Sequence, residues 1–198
     1  MSIAVLQKLC SQIPWCELAV LEPTVELALE IAREGREGRR IGTLFTLGNA
    51  EAVLAASRPL ILDPLAAHAP ARTHITDPNL RGTIKELAQL DGAFVISEAG
   101  TFVAACRYLD ASGEHIDLPL GLGSRHLAAA SISQKVGSIA IVISESGVVR
   151  VFHRGVIEAA LIPELWLLDR HHPELGGRGV EDRPRGVEVL TVEPVSDE

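Results

Sequence analysis

The chain has 198 residues, of which 47% are hydrophobic and 22% charged, a balance typical of one globular domain with a substantial core. Aromatic residues make up only 4%, so the core must consist mainly of aliphatic side chains, and the stacking platforms of single-stranded nucleic-acid binders are not available. The formal net charge of −8 excludes the basic proteins that bind nucleic acid or anionic membranes, because both partners require clustered Lys and Arg.

The cysteine count and the lack of long apolar stretches favour a cytoplasmic protein with no membrane partner. Cys10, Cys16 and Cys106 are odd in number and lack paired metal-ligand spacing, which predicts free thiols in a reducing compartment. No apolar stretch approaches the roughly 18 residues of a membrane helix. The N-terminus also lacks the features of a secretory signal.

The first elements in chain order are helical. An apolar pattern at helical spacing ends before Pro14, and a second helix is predicted to begin at Thr24 and end near Gly35. We expect residues 1–40 to form an N-terminal helical region packed on the core. The charged, glycine-containing segment 34–40 is predicted to be a loop that leads into the first strand.

The predicted core covers residues 41–172 and begins with a strand. Residues 41–47 are rich in strand formers, and Asn49 is a candidate cap for the short helix after them. Asp77 followed by Pro78 predicts the start of a further helix, because a capping side chain precedes proline at the first helical position.

A helix–strand–turn–strand unit then occurs twice. The segment that begins at Val95 is similar to the one that begins at Val142, 47 residues later, which predicts internal pseudo-symmetry within one sheet. Chance similarity between two ordinary hairpins is the alternative. The predicted elements are strands 93–97 and 101–107, a helix over 125–136 capped by Ser124, and strands 138–143 and 148–153.

The C-terminal segment differs in composition from the core. Beyond Pro173 the chain is rich in Gly, Pro and charged residues and loses its periodicity, so residues 173–198 are predicted to be a flexible tail. His171 and His172 are adjacent and therefore point apart on an extended backbone, which favours exposed side chains over a metal site.

Three short segments contain residues that could take part in chemistry. Residues 121–126, Gly-Leu-Gly-Ser-Arg-His, combine a flexible loop, a predicted helix N-terminus and a cation, which are the components of an anion site. The alternative for this segment is an ordinary capped helix with solvated side chains. Asp91-Gly92 and Ser144-Glu145 are each most simply turns when considered alone.

Taken together, these segments resemble the diadenylate cyclase domain, the catalytic module that joins two ATP molecules into cyclic di-AMP. The resemblance covers roughly residues 41–155. It depends on the Asp91-Gly92-Ala93 turn, on Gly123-Ser124-Arg125-His126 at the start of a helix, and on Ser144-Glu145 after the next strand, in that order.

The resemblance implies a mixed, twisted α/β sheet of about seven strands flanked by helices. It also implies Mg²⁺ or Mn²⁺ as cofactor, ATP as substrate and a face-to-face homodimer, because one domain holds one ATP and two attacks close the ring. The residues it implies for catalysis are Asp91, Gly92, Arg125 and His126, with Asp91 and His126 also at the metal. Those implied for ATP binding are Gly92, Ala93, Tyr108, Leu109, Gly123, Ser124, Arg125, His126, Ser144 and Glu145.

The chain departs from the family pattern at two positions. Leu127 stands where the family usually has a second arginine, and Ser124 stands where Thr is more usual. Arg107, Arg150 and Arg154 are candidates for the missing cation, although Arg150 and Arg154 also fit a solvated strand edge. A nucleotide-binding module without turnover, and an acidic interaction domain without a nucleotide site, are the alternative hypotheses.

Overall fold

A computed structural model describes residues 2–110 and 116–171, so the predicted tail 173–198 lies outside the described residues. The strands form one seven-stranded sheet in the order β2-β4-β3-β1-β5-β6-β7, which confirms the predicted α/β class. β1 and β3 are parallel and the other neighbours are antiparallel. The strands are β1 (Thr43–Leu47), β2 (Ser57–Pro59), β3 (Ala93–Ile96), β4 (Phe102–Leu109), β5 (Ile139–Ile143), β6 (Val149–His153) and β7 (Val156–Leu161).

Helices cover both faces of the sheet. One apolar cluster joins the sheet to α1, α2, α4 and α6, and a second joins its other face to α3 and α5. Within the described part of the chain, no helix is long and apolar enough to cross a bilayer. The helices are α1 (Ser2–Gln12), α2 (Leu18–Glu34), α3 (Ala50–Ala55), α4 (Pro78–Leu87), α5 (Ser124–Val136) and α6 (Pro163–His171).

The two similar units lie on either side of β1. β3 and β4 form an antiparallel pair next to one edge of β1, and β5 and β6 form the corresponding pair next to the other. The helices that precede these pairs pack on opposite faces, since α4 contributes to the first apolar cluster and α5 to the second. Both units therefore belong to the one sheet.

Three predicted helix caps require correction. α2 begins at Leu18, and Thr24 lies inside it with its hydroxyl donating to the Val20 carbonyl. Asn49 precedes α3 but caps nothing; its side chain donates to the Val136 carbonyl instead. α5 begins at Ser124 itself, so that the preceding glycine occupies the cap position. In each case a tertiary contact or the helix geometry overrides the local capping preference.

The prediction of three free thiols is wrong for two of them. Cys10 and Cys16 are joined as a disulfide, because the turn between α1 and α2 brings their Cα atoms to 4.9 Å. Cys106 is a free, buried thiol. Trp15, inside the same turn, packs its ring on Gly48, whose φ of +82° and lack of a Cβ allow that contact.

Candidate functional site

Apart from Tyr108, the residues expected at the site lie together at one edge of the sheet, where the ends of several strands meet. The register pairs Leu44 with Ala93 on one side and Thr43 with Ile143 on the other, so β1 and β3 begin where β5 ends. β4 also ends at this edge, because its Arg107 pairs with Ala93. The Asp91-Gly92 turn and Ser144 are therefore separated by about two strand spacings, roughly 10 Å.

The turn before β3 exposes a carboxylate next to a glycine packed on backbone. Asp91 is exposed, whereas Gly92 has a φ of +105°. A Cβ on Gly92 would lie 2.7 Å from the Cα of Cys106, where β4 itself bends at a positive φ. Gly92 is thus required for the close approach of β3 and β4, and this contact fixes the position of Asp91.

The N-terminus of α5 presents polar groups to solvent at the same edge. Gly123, Ser124 and Arg125 are exposed, and the first backbone N–H groups of a helix have no partner within it. The Arg125 guanidinium pairs with the Glu145 carboxylate at 3.2 Å, which connects α5 to the β5–β6 turn. A helix N-terminus beside an arginine is suited to bind phosphate.

Gly42 lies beneath the pair formed by Arg125 and Glu145. A Cβ at this position would be 2.6 Å from Nη1 of Arg125 and 3.2 Å from Cγ of Glu145. Gly42 was not predicted at the site, although a glycine at the start of a strand, between Ile41 and Thr43, was a usable signal. The missing side chain provides the space in which the two charged groups meet.

His126 is buried behind this exposed surface, next to an arginine from β6. Nη1 of Arg150 lies 3.4 Å from Nε2 of His126, and the imidazole also contacts the ring of Phe152. Burial, followed by the nearby Arg150 and Arg125 charges, lowers the pKa of His126 below its usual value. The imidazole is therefore neutral at pH 7.

The β5–β6 turn is held by hydrogen bonds from within and from the loop before β1. The Ser146 hydroxyl donates to Oγ of Ser144 at 3.0 Å, and the Gly147 backbone N–H donates to the Ser144 carbonyl. Arg40 donates to the Ser146 carbonyl at 3.0 Å. These contacts orient Ser144 and Glu145 at the edge, and Arg40 is a second residue that the sequence analysis did not select.

Tyr108 and Leu109 do not share a surface. Leu109 is buried in the apolar cluster with α5, whereas Tyr108 is exposed and alternates to the other face of β4. The guanidinium of Arg58 lies 4.5 Å from the centre of the Tyr108 ring. Leu109 is thus on the His126 side of the sheet, and Tyr108 is not.

Two of the three candidate replacement arginines are excluded by position. Arg107 donates to the Ser57 hydroxyl and to two carbonyls of the α3–β2 connection, so its guanidinium is engaged in the fold. Arg154 lies in the β6–β7 turn, next to Gly155, whose N–H donates to Ser133. Ser133 is about 14 Å along α5 from its N-terminus. Arg150 is the candidate that lies beside the site.

The residues fit a divalent metal only in part. No group of three or more His, Cys, Asp or Glu side chains capable of holding a metal ion occurs within residues 2–110 and 116–171. Arginine has only donors, so its contact with His126 requires Nε2 to accept and places the proton of the neutral ring on Nδ1. That arrangement does not suit His126 as a metal ligand. The exposed Asp91 carboxylate does fit, because Mg²⁺ is usually held by one or two carboxylates together with substrate phosphates.

An exposed carboxylate, a glycine turn and a cationic helix N-terminus thus lie at one sheet edge of an α/β protein, an arrangement suited to phosphate. Residues 30–157 match the family model described as DisA bacterial checkpoint controller nucleotide-binding. The chain belongs to this family.

Curated relatives and solved structures are also similar to the chain. It is 49% identical to a diadenylate cyclase from Methanocaldococcus jannaschii over 69% of its length and 43% of the relative, and 40% identical to one from Haloferax volcanii over 74% and 54%. The chain therefore spans about half the length of these relatives.

Two crystal structures have lower similarity. A double mutant of DacA from Staphylococcus aureus is 20% identical with a TM-score of 0.49, over 77% of this chain and 95% of that one. A hypothetical membrane-spanning protein from Bacillus cereus is 23% identical with a TM-score of 0.48, over 68% and 59%.

Proposed function

We propose that the chain is a diadenylate cyclase, which condenses two ATP molecules into cyclic di-AMP and releases two pyrophosphates. The observation that supports this most is the meeting of the Asp91 turn, the α5 N-terminus and the Ser144-Glu145 turn at one sheet edge, in a chain of this family. Both curated relatives carry the name of this activity.

Each bond-forming step is a phosphoryl transfer in which the 3′-hydroxyl of one ATP attacks the α-phosphorus of the other. The new P–O bond forms as the bond to pyrophosphate breaks, and the hydroxyl proton passes to solvent. The protein contributes mainly position and charge. Ser124, Arg125 and the free N–H groups of α5 hold the triphosphate, with Gly123 allowing close approach. The neutral His126, with its proton on Nδ1, is a hydrogen-bond donor.

The remaining residues position the nucleoside and the attacking oxygen. Asp91 would accept a hydrogen bond from the attacking hydroxyl or hold a divalent ion, and Gly92 and Ala93 fix its place. A bound Mg²⁺ or Mn²⁺ would neutralise charge on the phosphate oxygens. Leu109 supplies apolar contact for the base on the His126 side, and Ser144 and Glu145 close the opposite side of the site.

The assembly is a homodimer in which two loaded sites face each other. One copy of each motif occurs in the chain, so a single protomer provides one ATP site. The net charge of −8 and the scarcity of aromatic residues favour ATP and a second copy of the chain as partners over nucleic acid or a membrane.

A nucleotide-binding module without turnover is the second candidate, favoured by one observation. Leu127 is 46% exposed on the first turn of α5, where an apolar side chain provides no contact for phosphate. A protein of this kind would bind ATP but form no cyclic di-AMP. The two hypotheses therefore differ in what is recovered after incubation with ATP.

Asp91→Asn tests the assignment of the exposed carboxylate. Loss of its negative charge is expected to reduce cyclic di-AMP formation about 100-fold or more while leaving the melting temperature unchanged. The matched control is Glu51→Gln, which removes an exposed carboxylate from α3 at the other end of β1. Asp91→Asn turnover within about threefold of the parent, at equal metal concentration, would show that Asp91 is not catalytic.

A further inference from the structure

The arginine beside His126 has no counterion among residues 2–110 and 116–171. Arg150 lies on β6, half-buried, with its side chain on the same face as Phe152 and α5. Within residues 2–110 and 116–171 its hydrogen-bond partner is the neutral His126 imidazole, and no carboxylate there pairs with it. Burial lowers the pKa of its guanidinium, a sign that the charge is poorly solvated.

Other arginines around the site differ in this respect. Arg125 is paired with Glu145, and Arg107 donates to three oxygens of the α3–β2 connection. A guanidinium carries five N–H donors in a rigid fork, and the contact with His126 uses Nη1 alone. Arg150 therefore retains donors and an uncompensated charge beside the N-terminus of α5.

We propose that Arg150 binds the triphosphate of ATP together with Arg125, and that it also positions His126 by donating to Nε2. This inference depends on the proposed ATP site and adds a residue to it. A phosphate would supply the negative charge that the surrounding protein does not, and a charge-assisted contact to phosphate is among the stronger hydrogen bonds in proteins. The Arg150 contact would also supply the cation that Leu127 does not provide.

The experiment is a binding titration with two ligands, an ATP analogue carrying a methylene group between the α and β phosphorus atoms, and adenosine. Arg150→Gln is expected to lower the affinity for the analogue about 10-fold or more. Its affinity for adenosine should stay within about twofold of the parent value, because adenosine has no phosphate. Arg150→Lys is expected to recover part of the loss, since it keeps the charge without the fork. The matched control is Arg154→Gln. Arg154 lies four residues further along the chain, in the β6–β7 turn and away from the N-terminus of α5, so this variant should bind both ligands with the parent's affinity.

Each outcome decides the proposal. A folded Arg150→Gln that binds the analogue within about twofold of the parent overturns it while the proposed function stands. Equal weakening of the analogue and adenosine shows a structural role and also overturns it. Arg150→Met provides a second neutral variant if Arg150→Gln does not fold, and failure of both to fold shows that the arginine has a structural role, which also overturns the proposal. A parent chain that binds neither ligand contradicts the proposed function as well.

Discussion

Gly92 shows how one backbone position determines where a functional side chain lies. Its positive φ and its contact with the Cys106 backbone exclude a side chain, so that Asp91 is held on a turn that cannot relax. The same glycine was implied at the site by the family resemblance. The structure adds a reason that is independent of any ligand.

Gly92→Ala is therefore expected to destabilise the fold as well as the site. The strained φ and the overlap with β4 together cost about 2 kcal/mol or more in the free energy of unfolding, measurable by urea denaturation. Gly82→Ala is the control, because Gly82 lies inside α4 with open space around its Cα and should gain up to about 1 kcal/mol. An unchanged free energy of unfolding for Gly92→Ala would contradict the close contact.

Two buried histidines make the stability depend on pH. Burial and neighbouring arginines lower the pKa values of His126 and His153 below the usual value of about 6.5. As the pH falls below about 6.5, the unfolded chain therefore binds more protons at these two histidines than the folded chain does. The stabilisation is complete above that pH and is lost progressively below it.

The free energy of unfolding is thus expected to be lower at about pH 5.5 than at about pH 7.5. In the His153→Gln variant this difference between the two pH values should be smaller, because one of the two histidines is gone. The comparison of variant and parent also cancels the contribution of Glu158, whose pKa is raised by burial and which acts in the opposite direction. A pH dependence identical in the variant and the parent would show that His153 is not perturbed.

At the scale of elements, strong local signals were sufficient for most of the sheet. Runs rich in strand-forming residues identified β1 and β3–β6, and the Asp77-Pro78 pair correctly marked the start of α4, where the Asp77 carboxylate accepts from the Asn79 N–H. β2 and β7 were missed, because a three-residue edge strand and a run containing Glu158 carry little periodicity.

The candidate site was less predictable than the fold. The motifs of the family predicted Asp91, Ser124 and Glu145 at the site, and the register of β1 with β3 and β5 brings the segments that carry them to one edge. The contact of Arg150 with His126 joins residues 24 positions apart on different elements. No local pattern distinguishes such an arginine from a solvated one, which is why the sequence left both alternatives open.

The turn between α1 and α2 leads to a prediction about its disulfide. Unfolded without reductant, the chain should show one titratable thiol, that of Cys106, and three after reduction. Closing so short a loop stabilises by about 2 kcal/mol in the chain-entropy model, so a reductant should lower the free energy of unfolding by about that amount. The double variant Cys10→Ser, Cys16→Ser should be insensitive to reductant. Three thiols without reductant would contradict the bond.

At the scale of the whole molecule, the proposed function requires two copies of the chain for one product. Each protomer contributes one Asp91 turn and one α5 N-terminus, and neither attack alone closes the ring. Specific activity should therefore rise with protein concentration until the dimer is filled and then reach a plateau.

The most direct test is to incubate the purified chain with ATP and Mg²⁺ or Mn²⁺ over a range of protein concentrations and to separate the products by chromatography. We predict cyclic di-AMP, two pyrophosphates for each molecule of it, and a specific activity that increases to a plateau. ATP recovered unchanged at every protein concentration, from a chain that binds it, would contradict the cyclase function and favour the binding module.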